Sequence, residues 1–223
     1  MGEYEIWKYL HILMFVFWIG TDLGVFLSAK KSADPTLSFE SRIFMLHMAL
    51  RIELLPRIMW KLALPLGVML SVDMELMNIG PAGIALVWLF TLGWATVSVS
   101  GAYKYDQPIG QRLGHINNWI TGLVGVTLIT LAVASYYGNG PFDASATWLL
   151  WKVGLYGLIN LMVVVMLFVF EPMAIAFGRM AAEGSTPELE GIIASVMNRS
   201  TVVIWSTYGT IALVAFIATT KIL

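Results

Sequence analysis

Tyr9-Leu10-His11-Ile12-Leu13-Met14-Phe15-Val16-Phe17-Trp18-Ile19-Gly20 is the centre of an apolar run that extends from Ile6 to Leu27. Crossing a bilayer takes roughly 20 such residues. Comparable runs follow at about Ile58–Val72, Ala82–Tyr103, Trp119–Tyr137, Thr147–Phe170 and Thr201–Thr220. The second is short and is expected to begin earlier, near Ile52. These runs are too long, and alternate too little, to be strands of a membrane barrel. The predicted fold class is all-α: residues 1–223 as a single integral membrane domain, a polytopic transmembrane bundle of about six spans.

Composition agrees. The chain is 58% hydrophobic and 12% charged, with a mean hydropathy of +0.78. A water-soluble domain needs a larger polar shell. A net charge of −1 gives no sign of nucleic-acid binding. Cysteine is absent, which removes disulfides, thiolate metal sites, iron–sulfur clusters and c-type haem attachment. Any metal or haem must use His, Met, Lys, Tyr or a carboxylate.

Lys30, Lys31, Arg42, Arg51, Arg57, Lys61, Lys104, Arg112, Arg179 and Arg199 all follow the first, third and fifth runs. Only Lys8, Lys152 and Lys221 complete the 13 basic residues. That bias predicts those loops to be cytoplasmic and both termini extracytoplasmic, in the inner membrane of a bacterium. Glu3 and Glu5 precede the first run where a signal peptide wants basic residues, so the run reads as an uncleaved anchor. Gly2 lacks the Ser or Thr of a myristoylation motif.

Two loops carry helical periodicity. Ile43, Phe44, Leu46, Leu50 and Leu54, with Arg42 and Arg51 between them, predict an interfacial helix over about 38–54, or an early extension of the second span past Leu55-Pro56. A second interfacial helix is expected over about 188–198, after Glu183-Gly184-Ser185-Thr186-Pro187.

His11 and Lys152 each sit one to two turns inside an apolar run, at matching depth below the predicted outer surface. Polar groups at that depth are costly and point to function. His11, Phe15, Trp18 and Asp22 share one helix face; Lys152, Tyr156, Ile159 and Val163 share another, with Asn160 at its edge. If the faces meet, they form an aromatic slot whose deep end is closed by Asp22. The slot suits a flat apolar ligand bearing carboxylates. Haem is one such ligand, with imidazole as axial ligand and ammonium opposite a propionate. The bland readings are a helix–helix hydrogen bond for His11, a snorkelling Lys152, packing roles for Phe15 and Trp18, and an Asp22 paired with Lys61 or Arg57. His47 and His115 have no metal-ligand spacing, and the 13 methionines are scattered apart from Met74 and Met77.

Lys8-Tyr9-Leu10-His11-Ile12-Leu13 followed by Phe17-Trp18-Ile19-Gly20 resembles the first span of HemJ-type protoporphyrinogen oxidases and the wider CopD-like group. Arg51-Ile52-Glu53-Leu54-Leu55 with Ile58-Met59 and Pro65 resembles their turn into the second span. Trp148-Leu149-Leu150-Trp151-Lys152 resembles their Trp-x-x-x-Lys, and Asn198 the Asn before their last span. The resemblance implies haem b held by His11, an essential lysine at Lys152, and polar roles at Glu53 and Asn198. This chain departs in having two further spans, Ala82–Tyr103 and Trp119–Tyr137, and Arg199 where the family has Glu.

Three functions follow as expectations. The first is a haem-b membrane oxidoreductase or electron-transfer protein, with His11 as ligand, Lys152 holding a carboxylate, Trp18 and Tyr156 as walls, and Asp22 or Glu53 exchanging protons. Its substrate would be a porphyrin or quinone-like small molecule. The second is copper uptake of the CopD kind, with His11 and Met14 at the outer mouth. The third is a non-catalytic subunit of a membrane complex or a homo-oligomer, docking through Gly122, Gly125, Gly154, Gly157, Ser98 and Gly101.

Overall fold

The structure, a computed structural model, describes residues 3–222; Met1 and Gly2, read above for acylation, and Leu223 lie outside the described residues. Seven helices make up the fold: α1 (Glu3–Ser32), α2 (Phe39–Ile52), α3 (Leu54–Asp73), α4 (Pro81–Tyr103), α5 (Pro108–Tyr136), α6 (Thr147–Glu183) and α7 (Pro187–Thr220). Taking α2 and α3 as one rod, six helices are long and apolar enough to cross a membrane. The all-α expectation holds.

Local chemistry sets the helix ends. Pro81, Pro108 and Pro187 occupy first-turn positions, where a missing N–H costs nothing. The side chains of Ser38 and Thr186 accept from the backbone N–H of Ser41 and Leu189. Gly184, at φ 82°, ends α6 in a conformation that disfavours a Cβ. Pro56 cannot donate to the carbonyl of Ile52, and this splits α2 from α3 at Glu53.

Neighbouring helices in the bundle are α1–α3, α3–α4, α4–α5, α5–α6 and α6–α7. Between α7 and α1 the link is made by long side chains. Tyr208 donates to Asp22 at 2.8 Å, and Phe26 meets Trp205 edge-on at 6.3 Å. The start of α1 and the end of α7 lie at the same end of the bundle, called here the near end; the α1–α2 and α6–α7 turns lie at the far end.

At the far end α1, α2, α6 and α7 form a four-helix extension around Phe26, Leu46, Met173, Phe177, Leu189 and Ile193, with no residue of α4 or α5 in that core. With 30, 37 and 34 residues, α1, α6 and α7 measure roughly 45–55 Å at 1.5 Å per residue, well beyond a hydrocarbon core of about 30 Å. Residues 188–198 run unbroken into the last span, because nothing after Pro187 interrupts the hydrogen-bond ladder. Residues 39–52 form a separate helix, α2, that packs along α1.

The glycines expected on docking faces are used inside the chain. A Cβ on Gly125 would meet the Gly157 carbonyl at 2.9 Å, and one on Gly157 would meet the Gly125 carbonyl at 2.7 Å. A Cβ on Gly101 would meet the Gly114 nitrogen at 3.0 Å and Leu113 at 3.2 Å. These contacts bring α5 onto α6 and α4 onto α5.

Candidate functional site

Near the bundle's near end, α1, α3, α6 and α7 diverge and enclose a cavity of about 360 Å³. Ligand pockets usually begin at about 300 Å³. His11 and Lys152 both line it, as do Phe15, Trp18, Tyr156 and Ile159. The two faces read from helical spacing therefore meet. Gly67 of α3 lies opposite the imidazole: a Cβ there would come within 4.0 Å of His11 Cε1.

Two polar groups of the lining lack partners. His11 Nδ1 is buried without a hydrogen bond. Lys152 has no carboxylate within ion-pair reach among the described residues. Buried polar atoms are normally satisfied, and each exception asks for a cause such as a ligand or ion. Tyr156 is different. Its hydroxyl donates to the Trp60 carbonyl at 2.6 Å, so only its ring serves the cavity. Asn160, expected at the edge of this face, is fully buried and donates to the Tyr156 carbonyl at 2.8 Å.

Lys8 and Lys221 also line the cavity, bringing all three near-end lysines to one space. Among the described residues no carboxylate lines it. Sequence reading put these two lysines aside as remainders of the charge count. Yet with Lys152 they are the only basic residues outside the main group, and that was already a signal. The near-end loops cover the top: Met77 pairs with Phe142, the Asp143 N–H donates to the Leu76 carbonyl at 2.9 Å, and Met74, Phe142 and Trp148 line the space beneath.

Asp22 does not close the slot. It lies outside the lining and accepts from Tyr208, not from Lys61 or Arg57. Glu53 also lies outside and pairs with Arg57 one turn on. Among the described residues no hydrogen bond joins either carboxylate to the cavity. The deep wall is Trp18, Tyr156 and Ile159. Asn198, His47 and His115 are exposed, and no group of three metal-binding side chains forms among the described residues.

Beyond that wall lies a feature the sequence reading missed. Lys61 is fully buried, stacked against Trp60 at 4.1 Å and Trp94 at 4.9 Å, and donates to the Arg57 carbonyl at 3.1 Å. Trp94 donates in turn to Asn117 at 3.2 Å. Aromatic faces attract a desolvated ammonium by about 2 kcal/mol. This box is a packed way to keep a lysine inside a bundle; the cavity is an open one.

Fold and site together define a multi-pass helical membrane protein with a basic cavity sunk between four of its helices. Compared with protein-family models, curated proteins and solved structures, the chain matches none.

Proposed function

We propose that the cavity holds haem b and that the protein is a membrane oxidoreductase or electron-transfer protein of the HemJ-like kind. The observation that carries this is the meeting of His11, with its unpartnered ring nitrogen, and Lys152, with no carboxylate, on one apolar-walled cavity. The residues fit the group. His11 would supply an imidazole ligand to the iron, and Lys152, Lys8 and Lys221 would pair with its propionates. When bound, haem supplies one-electron chemistry at a potential set by its ligands and by burial. The chain's part is to hold and to exclude. Phe15, Trp18 and Ile159 keep water from the deep wall, and Tyr156 is fixed there by its bond to Trp60. In this reading Lys152 also orients a porphyrin or quinone-like substrate, while Asp22 and Glu53 exchange protons on the far side of the wall. The far end, which holds ten of the basic residues, is cytoplasmic and both termini are extracytoplasmic, in a bacterial inner membrane.

The test is an absorption spectrum of the detergent-purified protein after haem-replete expression. A Soret band that disappears in His11→Ala is expected; a preparation without one overturns the proposal, and a band that survives His11→Ala overturns the ligand assignment.

One observation favours a second reading. His11, Met14 and Met74 line the same cavity, and an imidazole with two thioethers is a donor set for Cu(I). Titration with Cu(I) against a competing chelator decides it: copper held only while Met14 is present supports a CopD-like uptake role.

A further inference from the structure

Most residues lining the cavity are buried or half-buried, including Met74, Phe142 and Trp148 beneath the near-end loops. The exposed ones among those described are Lys8, Ile12, Thr219 and Lys221. All four belong to α1 or to the end of α7. The cavity's opening is therefore not the top, where the loops close over it, but the side, along the seam between α1 and α7. The packing explains the seam. α1 lies against α2 and α3, and α7 against α6, while the bonds between α1 and α7 are made at Asp22 and Phe26, deeper in the bundle. Above those tethers α7 presents Ala215 and Ala218, side chains too small to close the gap. Ile12 is 54% exposed and still lines the cavity, so it touches both the interior and the surroundings.

The chemistry at the seam is graded. Lys8 and Lys221 stand at its near-end limit, Lys152 stands within, and the deeper walls are apolar or aromatic. Lys221 rests over the Trp148 ring at 5.2 Å and Lys8 over Tyr4 at 5.5 Å, which holds both ammonium groups at the mouth. A molecule with an anionic head and an apolar body fits this gradient in one orientation, head toward the near end and body toward Trp18.

We propose that the α1–α7 seam is a lateral portal through which a carboxylate-bearing amphiphile passes from the adjoining membrane leaflet into the cavity. The portal rests on the same cavity as the functional reading above but not on the identity of its resident. It assigns a route and a ligand class. The loops over the top disfavour entry of a water-soluble carboxylate from that side, and a neutral apolar molecule offers the lysines no counter-charge.

The experiment measures tritiated palmitate binding to the purified protein in lipid nanodiscs. Unlabelled palmitate should displace the label. Methyl palmitate, without the charge, should compete at least about tenfold more weakly, and acetate should not compete. Ala218→Phe and Ala215→Phe fill the portal from α7 and should each slow association several-fold. Val16→Phe, on an exposed α1 position away from the lining, should not. Equal competition by the methyl ester, or wild-type association rates in both portal variants, overturns the proposal. Charge-dependent palmitate binding in a preparation with no Soret band keeps the portal and removes the haem. A His11-dependent Soret band alongside unaffected portal variants does the reverse.

Discussion

Lys61 and Lys152 are two lysines drawn into the same bundle on opposite sides of the Trp18–Tyr156 wall, and their surroundings have little in common. Lys61 has no exposed surface, two indole rings against its ammonium and a carbonyl to bond. Lys152 borders about 360 Å³ of space and has no anionic partner among the described residues. The same contrast extends to the regions around them. Toward the far end, Arg42 pairs with Glu190, Arg57 with Glu53, and Arg179 with Glu183 and Glu188. At the near end the one ion pair among the described residues is the exposed contact of Lys8 with Glu5 at 3.8 Å. Charges that meet inside the fold contribute to holding it. Lys152, brought in without a carboxylate among the described residues, is available to something else, and that difference locates the site.

The comparison breaks most readily at Arg42. This side chain is 2% exposed, makes two bonds to Glu190 at 2.6 and 3.0 Å, donates to the Ser32 carbonyl at 2.8 Å and lies over Phe177. Removing one member of a fully buried pair costs about 3–5 kcal/mol; here Glu190 stays 22% exposed and bonded to Ser185, so the loss falls below that range. Arg42→Ala should therefore lower the thermal unfolding midpoint in detergent by the largest margin of any change considered. An unchanged midpoint would mean that the far half is not held by its charges.

Next in size is Gly157→Ala. Its Cβ would press on the Gly125 carbonyl, a backbone atom that cannot rotate away, at an overpacking cost of about 1–3 kcal/mol. If α5 and α6 pack this closely only because both positions are glycine, the midpoint falls; a neutral result would show that the helices separate freely.

The smallest stability effects sharpen the lysine contrast itself. Lys61→Met exchanges an aromatic–ammonium attraction of about 2 kcal/mol for release from a desolvation penalty of several kcal/mol. The midpoint should hold or rise slightly. Lys152→Met should also leave stability unchanged, because no bond is lost, yet palmitate affinity should fall about tenfold. Were Lys61→Met to abolish palmitate binding while Lys152→Met left it intact, the assignment of packed and open lysines would be inverted.

Much of this was legible in the residues. Six apolar runs gave six long helices, and the matched depths of His11 and Lys152 gave a shared cavity. Helical spacing also placed Trp18 and Tyr156 on the right faces. It misplaced Asp22 for a definable reason. A face read at 3.6 residues per turn says which residues align, but not how far along the helix a neighbour stays close. Asp22 lies beyond the point where α7 comes in to meet α1, and there Tyr208 takes it. Similarly, Gly125 and Gly157 advertised a close helix contact. Only the three-dimensional arrangement showed that the partner was the other glycine.

What the sequence determined by itself was the number of long apolar helices, the segregation of basic residues, and the depth of an imidazole and an ammonium within their helices. Those follow from periodicity and transfer energetics along one helix at a time. Tertiary structure decided which helices adjoin, that α1 and α7 part above Asp22, and that Lys8, Lys152 and Lys221 line a single space. These depend on contacts between residues as much as 186 positions apart (Asp22 to Tyr208), and no local preference of the chain encodes them.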